Sequence, residues 1–466
     1  MQAIGVRPRP GPARPSSPAP PPRVDRLRAF LETPELLDDA TRVLSRHADR
    51  LGGAFYYYFG GVKKVLIATD PEIFRHIFKD NYENYFKSDI QIRRMGEFLG
   101  QGMLTSHGAP WRRKRRIIQH AFDADRLAAM ADDMEATLAR SLTGLEDRIA
   151  KGPVEVGAEM MRMTFAMVTQ SMFSTRLPDD EIKQISDGIV AIQAFMVRQI
   201  VQPYLRPWFA VTGQLRKHQR IRAAGDEILV RQIRARRADG RRCRDLLGIL
   251  LEASEGEDGV PMSDRQVLIE SMQILVAGHE TSSNALTWIL YLLSRNPESL
   301  RAARDECRAV LGDRPLRPGD LARLPVTTSI IDEALRLYPP FWMIDRMARK
   351  ADRVGAVSIP AGSTVIAFIH GAQHAPDQWS APESFKPERF IEEGRALRTG
   401  FRHLPFGAGP RRCIGANYAM MQMVMILNAV LRRYHFVLAD HPPVRAQPMI
   451  VQRPRDGVWM HFEKRC

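Results

Sequence analysis

The residues best suited to chemistry lie in one short segment, Phe406-Gly-Ala-Gly-Pro-Arg-Arg-Cys-Ile-Gly415. A glycine-rich loop before a helix can bind a dinucleotide, but G-x-G-x-x-G fails because Arg412 stands at the third glycine position. Cys413 supports another interpretation, since helix amides and the adjacent arginines favour its thiolate, and Gly409 and Gly415 let the backbone approach the sulfur. Such a thiolate suits axial ligation of haem iron, whereas a lone cysteine outside this pattern is usually structural.

A second polar pair, Glu280-Thr281, stands in the middle of a long and otherwise apolar segment with helical periodicity. Buried polar groups need partners, because leaving them unpaired costs free energy. In one interpretation Thr281 bonds back to the carbonyl of Ala277 and Glu280 forms a salt bridge. In the other, the hydroxyl and the acid face a reaction site and transfer protons there.

Five motifs, in a fixed order between residues 111 and 415, resemble those of the cytochrome P450 family. They are Trp111-x-x-x-Arg115, Ala277-Gly-His-Glu-Thr-Ser-Ser283, Glu333-Ala-Leu-Arg336, Pro387-Glu-Arg-Phe390 and the segment from Phe406 to Gly415. The resemblance implies a haem-thiolate monooxygenase that inserts one oxygen atom of O2 into a lipophilic substrate. It also implies haem b as the cofactor.

The resemblance assigns a role to each matching residue. Cys413 is the axial ligand of the haem iron, Phe406 packs beside its sulfur, and Gly409 and Gly415 complete the loop. Haem propionates are bound by Trp111, Arg115, Arg346 and Arg411. Arg349 is an alternative to Arg346, because it lies only three residues further along the chain. Ala277 and Gly278 leave room for oxygen, and Thr281 and Glu280 transfer protons. Glu333, Arg336 and Arg389 form a structural network on which haem incorporation depends.

A haem pocket with an apolar roof predicts a fatty acid, a terpenoid or a steroid as substrate. The candidate lining residues, from their positions in the family pattern, are Ile274, Leu275, Phe341, Trp342, Met343, Met449 and Ile450, with Phe195 and Met196 as weaker candidates. Since little chain follows Cys413, we expect electrons from a separate ferredoxin or flavodoxin with its NAD(P)H reductase. Such carriers are acidic, so the basic runs 112–116 and 411–412 predict docking on the cysteine side and turnover that falls steeply as salt rises.

Composition limits the class of protein. The chain has 466 residues, 44% of them hydrophobic, which is enough for a large core and excludes a small stapled scaffold. Its net charge of +15 suits an anionic partner, but no nucleic-acid recognition motif is present, so we expect no nucleic-acid binding. Four widely spaced cysteines indicate a reducing compartment. We expect a soluble, cytoplasmic, monomeric protein without a membrane anchor.

The pattern of elements predicts a mainly α-helical protein with a small β portion. Residues 1–25, rich in proline, are expected to form a disordered tail, and residues 26–466 the catalytic domain. Ser263-x-x-Gln266 reads as a capping box for a helix over residues 263–294. By resemblance the fold is a helical triangular prism with a small β-rich lobe that encloses haem between this helix and the Cys413 loop.

Two other functions remain open from the sequence. A peroxide-driven peroxygenase would share the fold, but it has no need of the Glu280-Thr281 pair. A non-enzymatic haem or lipophile-binding protein would also fit the fold, although a sensor normally carries an output domain, and none is visible.

Overall fold

The computed structural model describes residues 20–240, 243–254, 262–440 and 442–465. Helices dominate this part of the chain, as the sequence predicts. The α-helices are α1 (Arg26–Leu31), α2 (Thr33–Leu51), α3 (Pro71–Arg75), α4 (Gly96–Leu99), α5 (Gly108–Gln119), α6 (Ala124–Ile149), α7 (Val156–Phe173), α8 (Asp179–Val201), α9 (Arg206–Val211), α10 (Gln214–Asp239), α11 (Leu246–Ser254), α12 (Asp264–Arg295), α13 (Pro297–Leu311), α14 (Pro325–Leu337), α15 (Ile369–Gln373), α16 (Glu388–Glu392), α17 (Gly394–Thr399) and α18 (Ala416–Arg433).

The strands are short and form four small sheets. They are β1 (Ala54–Phe59), β2 (Lys63–Ala68), β3 (Tyr85–Phe86), β4 (Val154–Glu155), β5 (Ile344–Ala348), β6 (Asp352–Val354), β7 (Val357–Ile359), β8 (Thr364–Ala367), β9 (Tyr434–Leu438), β10 (Ala446–Pro448), β11 (Gln452–Pro454) and β12 (Trp459–Lys464). The largest sheet has the order β1-β2-β8-β5-β3, in which only β2 and β8 pair in parallel. The others are β4-β12-β9, β6-β7 and β10-β11.

The long helix α12 crosses the core and packs against α7 and α18, with buried residues on all its sides. Ser263 caps its N-terminus, since the Ser263 hydroxyl accepts a hydrogen bond from the Gln266 amide at 3.3 Å. The second half of the predicted capping box is not formed, because the Gln266 side chain instead donates to Glu270 at 2.6 Å. At its other end α12 stops before Pro297, which begins α13.

The predicted strands form, with one difference in their pairing. β1 and β2 make the antiparallel hairpin that the aromatic and β-branched run predicts. The turn at residues 360–362 also joins two strands, β7 and β8, but they belong to different sheets. As a result β8 pairs with β2 and β5 and places β5, which carries Arg346, in the largest sheet.

Residues 1–19 of the predicted proline-rich tail lie outside the described residues. Residues 22–24 run beside β1, where the Tyr56 amide donates to the Pro22 carbonyl and the Val24 amide donates to the Tyr56 carbonyl. Val24 is buried, and Asp25 caps α1. In the described part of the chain, no helix combines the length and the apolar character needed to cross a membrane.

Candidate active site

A cavity of about 400 Å³ lies between α12 and the loop that precedes α18. Its surface is mostly apolar, and its walls come from α5, α8, α12 and the segment 405–415. The predicted site residues that line it are Cys413, Phe406, Arg411, Gly415, Trp111, Arg115, Arg346, Ala277, Gly278, Glu280 and Thr281. Residues from all parts of the chain between 111 and 415 therefore meet at one cavity.

Cys413 lines this cavity within the protein, and its amide donates to the Phe406 carbonyl at 2.9 Å. Burial raises the pKa of the Cys413 thiol, and it outweighs the lowering by the Gly415 amide, Arg115 and Arg412. The Gly415 amide and Arg412 favour the thiolate, as the sequence predicts, but their effect is smaller than that of burial. A coordinated metal ion would supply the additional positive charge that deprotonates such a thiol.

Gly409 brings the cysteine loop close to the backbone of Phe78. Its φ is +64°, and a Cβ atom there would lie 1.8 Å from the Phe78 carbonyl oxygen. Gly407 has a similar φ of +66°, but the nearest atom to a Cβ there is a methyl carbon of Ile344 at 3.7 Å. Both positions need the left-handed conformation that glycine adopts at no steric cost, and only Gly409 also needs the missing side chain.

This difference gives a matched test of the loop. Gly407→Ala is expected to cost about 1 kcal/mol through backbone strain alone. Gly409→Ala is expected to cost about 1–3 kcal/mol more, because the loop must move away from Phe78. Chemical unfolding of the two variants measures both values, and equal losses would show that the close approach to Phe78 does not constrain the loop.

Four cationic side chains line one part of the cavity: Arg115, Arg346, Arg411 and Lys87. Burial lowers the pKa of Arg346 to about 10, and burial with repulsion from Arg346 and Arg115 lowers that of Arg411 to about 9. Burial also lowers the pKa of Lys87, with a further contribution from Arg346 and Arg411. Asp345 also lines the cavity, and its carboxylate partly offsets the lowering of the pKa of Arg346 and Lys87, although among the described residues no salt bridge joins a carboxylate to any of the four cations. Four cations beside one acid leave a net positive charge on this wall of the cavity, which fits an anionic ligand.

Trp111 and Arg411 contact each other at the edge of this group. The guanidinium of Arg411 lies 4.1 Å from the centroid of the Trp111 ring, and it donates to the Ser106 carbonyl at 3.2 Å. Arg115 donates to the Arg412 carbonyl at 2.8 Å and so ties α5 to the cysteine loop. Arg349 lies over the Phe86 ring instead of lining the cavity, so the structure selects Arg346 of the two candidates.

The α12 wall presents small residues and one polar pair to the cavity. Gly278 also packs against α7, where a Cβ atom would lie 3.1 Å from a methyl carbon of Val168. The Thr281 hydroxyl donates to the Ala277 carbonyl at 2.8 Å. This is the hydrogen bond within the helix that one of the two interpretations of the sequence predicts. Thr281 nevertheless lines the cavity, so the same oxygen can still accept a hydrogen bond from that side.

Glu280 is buried and forms no salt bridge in the described structure, contrary to the first interpretation. Its carboxylate accepts a hydrogen bond from the Gln193 side chain of α8 at 2.5 Å. Burial raises the pKa of Glu280 to about 7, against the lowering by Gln193 and by Arg453. The acid is therefore poised to gain and lose a proton near neutral pH.

Sequence reasoning missed Gln193 and Lys87. Gln193 carried a usable signal, because it is a polar residue on an apolar helix face beside Ile192 and Met196. Lys87 carried none, since a single lysine after a short aromatic strand is ordinary on a protein surface.

The predicted network forms around Glu333, which accepts hydrogen bonds from both Arg336 and Arg389. Arg336 donates to both Glu333 oxygens at 2.8 and 2.9 Å, and Arg389 donates to one of them at 3.2 Å. Arg336 also donates to the Gln373 carbonyl at 2.8 Å. The Gln373 side chain in turn accepts a hydrogen bond from the amide of Leu404, two residues before Phe406. Gln373, which the sequence analysis did not name, thus joins the network to the cysteine loop.

The structure corrects three of the predicted lining residues. The predicted residues that do line the cavity are Ile274, Phe341, Met343 and Ile450, together with the weaker candidate Met196. Leu275, Trp342 and Met449 do not line it, and neither does the weaker candidate Phe195. All four are buried in hydrogen-bonded or apolar surroundings behind its walls.

The physical reason is the direction in which each side chain points. On α12, residues 275, 279 and 283 share one face of the helix, and none of them lines the cavity, so Leu275 points away from it. Phe341 and Met343 face the cavity, while Trp342 between them points the other way and donates to the Met449 carbonyl at 2.7 Å.

Comparison with known proteins agrees with this site. The cytochrome P450 family model matches residues 18–460. The chain is 30% identical to cyclooctatin synthase of Streptomyces melanosporofaciens, over 84% of each protein. It is 26% identical to the human ultra-long-chain fatty acid omega-hydroxylase, over 94% of the chain and 86% of the relative. The crystal structure of the cytochrome P450DA haem domain superposes with a TM-score of 0.84 at 24% identity, over 96% of this chain and 98% of that one.

The chain therefore belongs to the cytochrome P450 family, and it has the P450 fold. It is an enzyme of the P450 monooxygenase type, with the haem iron that this family uses. The residues present fit that group, since Cys413 lines a cavity in which the four cations outnumber the neighbouring acid Asp345.

Proposed function

We propose that this enzyme inserts one oxygen atom of O2 into a fatty acid, a terpenoid or a steroid, with haem b bound through Cys413. Thiolate-ligated haem supplies the activation of O2, in which two electrons and two protons yield the oxidised product and one water molecule. The observation that carries the proposal is the meeting of the Cys413 thiol, the Glu280-Thr281 pair and the buried cations at one apolar cavity.

The cations and Trp111 orient the cofactor in this proposal. The two propionates are bound by Arg115, Arg346, Arg411 and Lys87. Their negative charges offset the burial and the mutual repulsion that together lower the pKa of Arg411. Phe406 packs beside the sulfur and limits the access of water to it. The absence of large side chains at Ala277 and Gly278 leaves space for O2 against α12.

Glu280 and Thr281 control protons on the opposite side of the cavity. The Thr281 oxygen, held by the Ala277 carbonyl, accepts a hydrogen bond from a proton donor in the cavity. Glu280 supplies protons because its pKa of about 7 leaves part of the population protonated at neutral pH. Gln193 positions this carboxyl group from α8.

The pH dependence of turnover tests this role. The protonated form of Glu280 is the donor, so turnover is expected to fall as pH rises through about 7. Glu280→Gln removes the titrating group and is expected to lower turnover about 100-fold and abolish this pH dependence. Gln193→Leu removes a hydrogen bond that stabilises the carboxylate, so the fall should move to higher pH. Gln184→Leu, the same change at another cavity position of α8, should leave the profile in place.

The substrate class rests on the apolar walls of the cavity and on the relatives. One relative is named as a hydroxylase of ultra-long-chain fatty acids. Titration of the haem protein with fatty acids, terpenoids and steroids distinguishes the three classes. A molecule that binds in the cavity should displace the water on the substrate side of the haem and change the absorption spectrum. Turnover with hydrogen peroxide and no reductase, at a rate that Glu280→Gln does not change, would favour a peroxygenase instead.

A ferredoxin or flavodoxin with its NAD(P)H reductase is proposed as the electron source. Arg112 and Arg116 of α5 are exposed and do not line the cavity, whereas Arg115 lines it, and Arg412 is exposed and also lines it. These exposed cations suit an acidic carrier, and the fall of turnover with rising salt, predicted above, tests the contact. Salt-insensitive turnover would contradict it. The cytoplasmic location that the cysteine usage favours stays a prediction.

A further inference from the structure

One cationic side chain of the cavity wall lies apart from the others. The remaining cations form a single group at the cysteine loop, whose members affect the pKa of one another or of Cys413: Lys87, Arg115, Arg346, Arg411 and Arg412. The separate cation is Arg222, in the middle of α10, a helix that packs against α8 and α12. The function proposed above gives Arg222 no role.

Two contacts place Arg222 against the N-terminal half of α8. A Cβ atom on Gly188 would lie 3.0 Å from a methyl carbon of Ile221. Nearer the start of α8, Glu181 forms a salt bridge with Arg231. The two helices therefore run antiparallel, and Arg222 faces the segment of α8 between these contacts.

This end of the cavity reaches the surface and lies apart from the reactive pair. Gln184, in the α8 segment opposite Arg222, lines the cavity and is exposed. Gln193, which holds the Glu280 carboxylate, lies about 14 Å from Gln184 along the helix axis. The α8 residues that line the cavity between these two glutamines carry no polar side chain: Ile185, Gly188, Ile189 and Ile192. The cavity thus extends from a cation near the surface, along an apolar wall, to Glu280.

The Arg222 guanidinium keeps N–H donors that no described residue accepts. Its side chain is 21% exposed, and its Nε lies 3.2 Å from the Asp226 carboxylate without the alignment of a hydrogen bond. Burial raises the pKa of Asp226, whereas Arg222 and Arg265 lower it, so this acid lies near two cations. The N–H groups on the two terminal nitrogens of Arg222 are therefore available to an anion in the cavity.

A cation at one end of an apolar cavity matches an anion with a long hydrocarbon chain. A planar guanidinium binds a carboxylate through two parallel hydrogen bonds, and the chain fits the apolar wall. The ionised form of Glu280 would repel a carboxylate at the other end, so the charges also favour one orientation. Of the three substrate classes proposed above, the fatty acids are the one in which every member carries a carboxylate.

We propose that Arg222 binds the carboxylate of a fatty acid substrate and so directs oxidation to carbons remote from the carboxyl group. The proposal rests on the proposed function and narrows its substrate class. Arg222 binds and orients the substrate in this account, and it takes no part in the activation of O2.

Titration of the haem protein at neutral pH with three molecules of equal chain length tests the proposal. The probes are dodecanoic acid, methyl dodecanoate and 1-dodecanol, and the change in the absorption spectrum reports their binding. Arg222→Gln is expected to weaken binding of the acid about 10- to 100-fold, because hydrogen bonds to a charged group are lost. Binding of the ester and the alcohol should stay as it is. Arg222→Lys, which keeps the charge but not the planar donors, should give an intermediate loss for the acid.

Arg216→Gln is the matched control, since Arg216 is an exposed arginine of α10 that does not line the cavity. This variant should bind all three molecules as the unchanged protein does. Unchanged affinity of Arg222→Gln for the acid, or an equal loss for acid and ester, would overturn the inference and leave the proposed reaction standing. Oxidation next to the carboxyl group by the unchanged protein would also overturn it. Absence of a spectral change with all three molecules would overturn both the inference and the fatty acid as substrate class.

Discussion

Cys413→Ser is expected to remove the strongly red-shifted Soret band of the reduced, carbon monoxide-bound protein and to reduce turnover to background. Serine keeps the size of the side chain but cannot supply the thiolate on which the band and the oxygen chemistry depend. The cations that are proposed to bind the propionates are unchanged in this variant, so haem is expected to remain bound more weakly. The absorption spectrum with carbon monoxide, recorded together with haem content, separates loss of the ligand from loss of the haem.

Cys243→Ser is the matched control for this change. Cys243 is a free cysteine that does not line the cavity, so its replacement should leave the band and turnover as they are. A red-shifted band that persists in Cys413→Ser would refute the proposed ligand. Loss of the red-shifted band in Cys243→Ser would indicate that Cys243 is the haem ligand instead.

Glu333→Ala is expected to destabilise the protein by about 3–5 kcal/mol and to abolish haem incorporation. Glu333 is fully buried and accepts hydrogen bonds from Arg336, Arg389 and the Lys386 amide, so its removal leaves a buried guanidinium without its counter-charge. The loss of stability also affects the cysteine loop. Arg336 donates a hydrogen bond to the Gln373 carbonyl, and the Gln373 side chain accepts one from the Leu404 amide. Haem content per chain and the free energy of unfolding measure the two effects.

Two further variants distinguish the stabilising effect of the Glu333 network from its effect on the cysteine loop. Glu388→Ala removes an exposed acid one residue from Arg389 and should leave haem content and stability unchanged. Gln373→Ala keeps the ion pair but removes the contact to Leu404, so it should weaken haem binding with a smaller loss of stability. Normal haem content in Glu333→Ala would show that the network does not organise the site.

The chemistry of this protein can be predicted from local sequence because the residues that perform it have fixed spacings. Cys413 and its glycines lie within ten residues, and Glu280 and Thr281 are neighbours on one helix. The ends of α12 and α13 are local too, since Ser263 caps the first and Pro297 begins the second. The family follows from such patterns, and the comparisons confirm it.

Only the tertiary structure decides which way the side chains face and what surrounds them. Trp342 and Leu275 fit the expected composition of a pocket wall, yet they turn into the core, because direction depends on how each segment packs. The pKa of Glu280 near 7 depends on burial and on Gln193, a residue 87 positions away in the chain. Sequence spacing determined the reactive groups of this protein, whereas long-range packing determined their protonation, their partners and the surface around them.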